Sequence, residues 1–224
     1  MIKAWSYIEE YKGLRKKILK TIDRTLKSGQ IFFGKELQKF EKRFIKENNL
    51  KYGVVVGSGT DALHIALLGL GIKKDDEVIT VSNTAIPTVS SIKACNAKVK
   101  FVDIGSDYLI KAENIEKYIS KKTKAIIPVH LYGQACNMEK ICKIAKKYNL
   151  KIIEDCAHAI GAKIRNKHVG MFGDAGCFSF YPTKNLTTFE GGMIITNSKK
   201  TADNIRSLRN HGITKTLEDR FTNG

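Results

Sequence analysis

The sequence predicts an α/β protein: a mostly parallel central sheet with helices on both faces. From Tyr52 onward, short β-branched runs alternate with helical segments, the pattern of βαβ units. Parallel sheets built that way are covered by helices on both sides. A hydrophobic fraction of 42% over 224 residues supplies a sizeable core, enough for one large domain or one domain plus part of a second.

Ahead of the sheet, Ile8, Tyr11, Leu14, Ile18, Ile22 and Leu26 recur at steps of three and four. That spacing predicts an amphipathic helix near 7–27, with Ser28-Gly29 as its stop. A second helix is expected over about 35–48, with Leu37, Phe40 and Phe44 on one face. Residues 1–50 are therefore expected to form an N-terminal helical arm or a cover for the core. YGVVV then precedes a helix from about Thr60, and EVITV a helix over Thr88 to Cys95. KVKFVDI leads into a helix around Ile115, and KAIIPVH into MEKICKIAKKY. KIIED, GCFSFY and GGMIIT follow, and a last helix covers about 199–209. The hairpin-like FSFY…GGMIIT breaks the alternation, so at least one strand is expected to run antiparallel. In such sheets, sites form at the carboxyl ends of the strands.

The chain carries 39 Lys+Arg against 22 Asp+Glu, a net charge of +17. A field of that sign favours anionic partners, among them nucleic acid and phosphorylated small molecules. The lysines are nonetheless spread out, as in Lys16-Lys17, Lys73-Lys74, Lys121-Lys122 and Lys146-Lys147. Most fall at helix ends or in turns, where they read as a solvated face. No arginine-rich arm, zinc-finger spacing or aromatic nucleic-acid motif occurs, so no nucleic-acid partner is expected. The five cysteines, Cys95, Cys136, Cys142, Cys156 and Cys177, are odd in number and lack CxxC spacing. Neither a zinc site nor a disulfide framework is expected, and buried reduced thiols point to the cytoplasm. The N-terminus offers no apolar stretch fit for a signal peptide. ALHIALLGLGI is too short to cross a bilayer, so no membrane partner is expected.

Three segments carry candidate chemistry. Gly57-Ser58-Gly59-Thr60-Asp61 lies between an apolar strand and a helix. Small residues there let backbone N–H groups approach an anion, and the helix N-terminus favours phosphate. The same residues also suit a tight turn with Thr60 or Asp61 as a helix cap. Asp155 ends the apolar strand KIIED, where an unpaired charge is costly. A protonated pyridine nitrogen is one partner that fits; a salt bridge or a helix cap is another. Glu154 should face the opposite side of the sheet, and His158, three residues on, reads as a site residue or a satisfied core histidine. Lys184 sits in the polar turn of SFYPTKN, before Glu190-Gly191-Gly192. A desolvated lysine loses its proton and forms a Schiff base, whereas a surface lysine does neither. Ser179 is placed to donate to a phosphate or to the backbone.

The ordered blocks GSGTDAL, DEVITVSNTAIPT, FVDI, IIPVHLYGQ, IIEDCAHAIGA, GDAGCFSFYPTKN, EGGMIIT and LRNHG resemble the DegT/StrS-type (DegT/DnrJ) sugar aminotransferases, from about residue 30 to the end. That resemblance implies the large domain of a fold-type I aminotransferase, using pyridoxal 5'-phosphate. It implies a cofactor-binding large domain over 51–212 and, over 213–224, the start of a truncated C-terminal region. Lys184 is then the lysine that holds the cofactor and moves the proton. Asp155 partners the pyridine nitrogen, and His158 stands near the ring and its 3-hydroxyl. Ser179 is a phosphate ligand, with Gly59, Thr60 and Asp61 as the phosphate loop. The implied reaction moves an amino group from an amino acid, glutamate by expectation, to a nucleotide-linked keto-sugar in a homodimer. Amino-sugar or surface-polysaccharide biosynthesis is the setting. A relative that deoxygenates sugars with the same cofactor carries His where Lys184 stands, so lysine favours transamination.

The sequence departs from the family pattern in two places. Where many members place an aromatic residue to stack on the cofactor ring, this chain has Ala85. Members also continue well past the point matching Gly224, so the small C-terminal domain is expected to be largely missing. A second reading follows: a truncated, non-catalytic remnant that keeps the fold and the cofactor site.

Overall fold

The structure, a computed structural model, describes residues 6–214. Two helices come first, α1 (Tyr7–Lys27) and α2 (Lys35–Glu47). The sheet then begins with β1 (Tyr52–Val56), α3 (Gly59–Gly69), β2 (Glu77–Val81), α4 (Ile86–Ala94) and β3 (Lys98–Val102). It continues through a 3-10 helix (Ala112–Tyr118), β4 (Thr123–Ile126), α5 (Met138–Tyr148) and β5 (Lys151–Asp155). A small hairpin of β6 (Lys163–Ile164) and β7 (Lys167–His168) precedes β8 (Ala175–Ser179), β9 (Gly192–Thr196) and α6 (Lys199–Arg209).

Seven strands form one sheet in the order β1-β9-β8-β5-β4-β2-β3. β9 alone runs against the rest: it pairs antiparallel with both β1 and β8, and every other pairing in this sheet is parallel. The six parallel strands therefore deliver their carboxyl ends to one edge of the molecule. The start of β9 arrives there too, with Ser179 paired to Gly192.

Alternation along the strands divides the core between the two faces. Val78, Ile127, Ile153 and Ile194 pack on one face with residues of α3, α4 and α6. Ile79, Ile126 and Ile152 pack on the other with Met138 and Ile141 of α5 and Ile115 of the 3-10 helix. Phe44 of α2 completes that second face beside Phe178, Phe180, Met193 and Ile195. The sheet is thus sandwiched between helices, as the alternating sequence pattern predicts.

Several elements differ from their sequence expectation. The helix around Ile115 is a 3-10 helix; seven residues are too few for an α-helix to recover its nucleation cost. The KAIIPVH strand is regular only to Ile126, because Pro128 has no N–H to give to a ladder. The Phe40 ring meets Phe180 edge-on at 5.3 Å. Phe32 and Phe33 are exposed. No residue of α1 is buried, so its apolar stripe faces away from the described core. Among the described residues, no helix is long and apolar enough to cross a membrane.

Candidate active site

The carboxyl edge of the sheet holds a cavity of about 380 Å³. Asp155 from the end of β5, Ser179 from the end of β8, Ser58, Gly59 and Thr60 at the start of α3, and His158 and Lys184 from loops all line it. Strand-end geometry explains this convergence. Each parallel strand ends at the same rim, so the first polar residue after each apolar run faces the same space.

Asp155 is only 5% exposed. Its Oδ1 accepts the Ala157 N–H at 3.1 Å, and its Oδ2 accepts the Thr88 hydroxyl at 2.7 Å. It makes no salt bridge among the described residues. A buried carboxylate with two neutral donors and no cation is electrostatically incomplete. The half-buried Lys184 lines the same cavity. Burial pulls its amine below the usual lysine range, against the opposing pull of Asp155. His158 stands at the mouth with its ring tilted against Tyr132, centroids 6.2 Å apart. Burial first, then repulsion from Lys184, lowers its pKa, with Asp155 pulling the other way. The imidazole is therefore neutral near pH 7.

Ser58 caps α3 by accepting the Asp61 N–H at 3.0 Å. The amides of Gly59 and Thr60 stand at the open start of the helix, where no preceding turn supplies acceptors. Gly59 presses against β8: a Cβ there would lie 2.7 Å from the Ser179 Cβ. Only glycine lets the helix start approach the serine so closely. Ser179 Oγ accepts the Tyr181 N–H at 3.4 Å, which leaves its proton free to donate. Asp61 is not brought to the cavity wall. Its carboxylate folds back over Gly57, where a Cβ would stand 2.7 Å from Oδ2. Ala85 lines the cavity at the start of α4 but offers no ring to stack.

Glu154 points away from the cavity, as strand alternation requires, and is fully buried. It accepts the amides of Gly170, Phe172 and Gly173, each at 2.7 Å, and lies 2.9 Å from His130 Nε2. The Cys136 N–H occupies His130 Nδ1, so the network assigns the ring proton to Nε2, donating to Glu154. Glu154, His130 and Cys156 offer ligand atoms within 4.8 Å of one another. Those atoms are already taken by the amides and the ring proton, and burial pushes the Cys156 thiol well above the thiolate range. The cluster is a clamp holding two loops behind the site, not a ligand set.

Sequence reasoning missed Thr84, Thr88, His130 and Glu190, which also line the cavity. His130 was legible as a histidine after an apolar strand. Thr88 was not, because its partner lies 67 residues away.

The cavity suits pyridoxal phosphate on three physical counts. The uncompensated carboxylate of Asp155 offers an anion to a ring cation. The helix start packed against Ser179 offers donors to a phosphate. The softened amine of Lys184 lines the same cavity.

The architecture is that of the large domain of a pyridoxal-phosphate-dependent aminotransferase. The model of the DegT/DnrJ/EryC1/StrS aminotransferase family matches residues 12–224, and this chain belongs to that family. The dTDP-3-amino-3,4,6-trideoxy-alpha-D-glucose transaminase of Micromonospora megalomicea subsp. nigra is 41% identical over 212 residues, covering 94% of this chain and 57% of the relative. The X-ray structure of S. venezuelae DesV in complex with a ketimine intermediate matches with a TM-score of 0.90 at 37% identity, covering 95% of this chain and 58% of DesV. NtdA of Bacillus subtilis with bound cofactor PMP matches with a TM-score of 0.81 at 34% identity, covering 86% of this chain and 44% of NtdA. The chain spans about half the length of the curated relatives it matches. Aminotransferases of this family depend on pyridoxal phosphate.

Proposed function

We propose that this chain is the cofactor-binding part of an enzyme that moves an amino group from an amino acid, glutamate by preference, to a nucleotide-linked keto-sugar. The observation that carries this reading is the pairing of a softened amine, Lys184, with a buried, cation-free carboxylate, Asp155, in one cavity. The dTDP-sugar named for its relative supports the substrate class.

When bound, pyridoxal phosphate supplies an aldehyde carbon for nitrogen and a ring that draws off electrons. The residues of this chain do the rest. Lys184 Nζ, partly desolvated, sheds its proton more readily than a surface lysine, and in that neutral form it would hold the cofactor through its aldehyde carbon. As a free amine in the cavity wall, the same group would take a proton from the donor Cα and return one. Asp155 holds a proton on the ring nitrogen and so keeps the ring an electron sink. Ser179 and the amides of Gly59 and Thr60 bind the phosphate, and Asp61 supports that loop through its capped amide. His158, neutral, offers a hydrogen bond to the ring's hydroxyl side.

In this reading residues 51–212 are the cofactor-binding unit and residues 1–50 an arm. A C-terminal region begins at 213, and its residues 215–224 lie outside the described ones. We place the enzyme in the cytoplasm as a homodimer serving amino-sugar or surface-polysaccharide synthesis. The five free cysteines favour a reducing compartment. Exposed apolar side chains near the site, Ile86, Tyr132 and Tyr181, and on the arm, Phe32 and Phe33, favour association.

The test is chemical. Borohydride reduction of the protein with pyridoxal phosphate, followed by peptide mass spectrometry, should place the label on Lys184, and Lys184→Ala should abolish it. A label found elsewhere removes the assignment. Adding glutamate to the cofactor-loaded protein should bleach its visible absorbance. Cofactor bound without bleaching favours the remnant reading.

A further inference from the structure

The Asp155 carboxylate is gripped from behind. Its Oδ2 accepts the Thr88 hydroxyl at 2.7 Å, and a carboxylate only accepts, so the Thr88 proton belongs to that bond. Thr88 Oγ1 also lies 2.7 Å from Thr84 Oγ1. With its own proton engaged, Thr88 must accept the proton of Thr84. The polarity is therefore fixed: Thr84 donates to Thr88, which donates to Asp155. Thr88 is fully buried in the first turn of α4, and Thr84 reaches the cavity wall.

This arrangement does something the strand alone cannot. The terminal torsion of an aspartate is broad and soft, and the Ala157 N–H holds only one of the Asp155 oxygens, at 3.1 Å. The Thr88 hydroxyl is itself pinned, on a fully buried side chain with a 2.7 Å bond on either side, so it marks a fixed point. In a dry site, a chain of aligned hydroxyls is stronger than its links taken singly.

We propose that Thr84 and Thr88 form a relay that aims the Asp155 carboxylate at the cofactor's ring nitrogen, with Thr88 as a positioning residue. The proposal rests on the reading that Asp155 partners that nitrogen. The other titratable groups lining the cavity are His130, His158, Tyr181, Lys184 and Glu190. None hydrogen-bonds to either threonine, so Asp155 is the one titratable group in the cavity that their hydroxyls reach, Thr84 by way of Thr88.

The test uses the full chain with pyridoxal phosphate as the probe. Two quantities are read: the dissociation constant, and the pH midpoint of the bound cofactor's visible band. Without the relay, the ring nitrogen holds its proton less firmly and carries less positive charge. The cofactor's other acidic proton then leaves at higher pH. Thr88→Val should raise the dissociation constant about tenfold and move the midpoint up by about one pH unit. Thr88→Ser, which keeps the hydroxyl, should restore both to within about twofold of the unsubstituted values. Thr84→Val should fall between. A Thr88→Val midpoint equal to the unsubstituted one overturns the relay. So does a serine variant that behaves like valine, because the methyl group would then be the part that matters. Should Thr88→Val fail to fold, the half-buried Thr84 carries the test, and an unmoved midpoint in Thr84→Val overturns the proposal. Borohydride labelling of the unsubstituted protein separates the two levels. No label on Lys184 sinks the cofactor reading and the relay together, whereas a label with unmoved midpoints sinks the relay alone.

Discussion

At Lys184 and Asp155, burial acts on two opposite charges with opposite chemical results. Desolvation discourages the charged amine and leaves the carboxylate in want of a cation; under the proposed function the first would serve as a nucleophile and the second would hold a protonated ring. The pH dependence of labelling follows from the first effect. Because burial lowers the Lys184 pKa, its reactive form dominates at a lower pH than in a free lysine. The rate of borohydride-trappable labelling should therefore reach half its plateau below the usual lysine range, and below the value for exposed lysines of the same protein. An equal midpoint for Lys184 and the exposed lysines would contradict the structure. Behind this pair, Glu154 answers three amides and a histidine at once. Glu154→Ala strands those donors in the interior and should lower the unfolding free energy by about 3 kcal/mol or more, measured in urea. Glu154→Gln keeps one good acceptor and should lose less. At this scale the sequence was partly legible. Asp155, Lys184 and Ser179 stood out because each follows an apolar strand. Thr88 and the Glu154 clamp did not, because their meaning lies in partners distant along the chain.

Among the elements, the edge strand β1 shows how a sheet border is managed. Val55 gives its N–H to Glu41 of α2 at 2.9 Å, and its carbonyl accepts Arg209 of α6 at 2.8 Å. Arg209 and Glu41 also bond each other at 3.0 Å, each side chain 15% exposed, and Arg209 lies over the Phe33 ring. The border that would otherwise invite another strand is closed by side chains. Arg209→Met should cost about 2 kcal/mol, since it leaves both Glu41 and the Val55 carbonyl without their partner. Equilibrium unfolding checks this, and an unchanged midpoint would show the contact to be idle. The strand and helix pattern was largely readable, because βαβ units repeat a local period. The small hairpin at Lys163–His168 was not: two-residue strands carry no periodicity. The α1 stripe is legible as a helix, but nothing in its residues marks the surface that receives it.

For the molecule as a whole, the sheet order brings the helix start after β1, the end of β5 and the end of β8 to one rim, although residues 59 and 184 are far apart in sequence. Gly59 is where that assembly is tightest. Gly59→Ala would force its new carbon into Ser179, so cofactor affinity should fall about tenfold or more in equilibrium dialysis while the fold survives. If the proposed homodimer is correct, sedimentation at micromolar concentration should show one species of twice the chain mass. A monomer would leave the exposed apolar groups at the rim unexplained.

The reversed course of β9 has a consequence for how this chemistry can vary. The segment from Phe180 to Gly191, which carries Lys184, leaves and re-enters the sheet at the same border, closed at its neck by the Phe180 N–H to Gly191 carbonyl bond at 2.8 Å. Phe180 at its start is buried against Phe40 and Phe44, so the residues on either side of Lys184 can change in number or kind without re-threading a strand or disturbing the helical layers on the two faces.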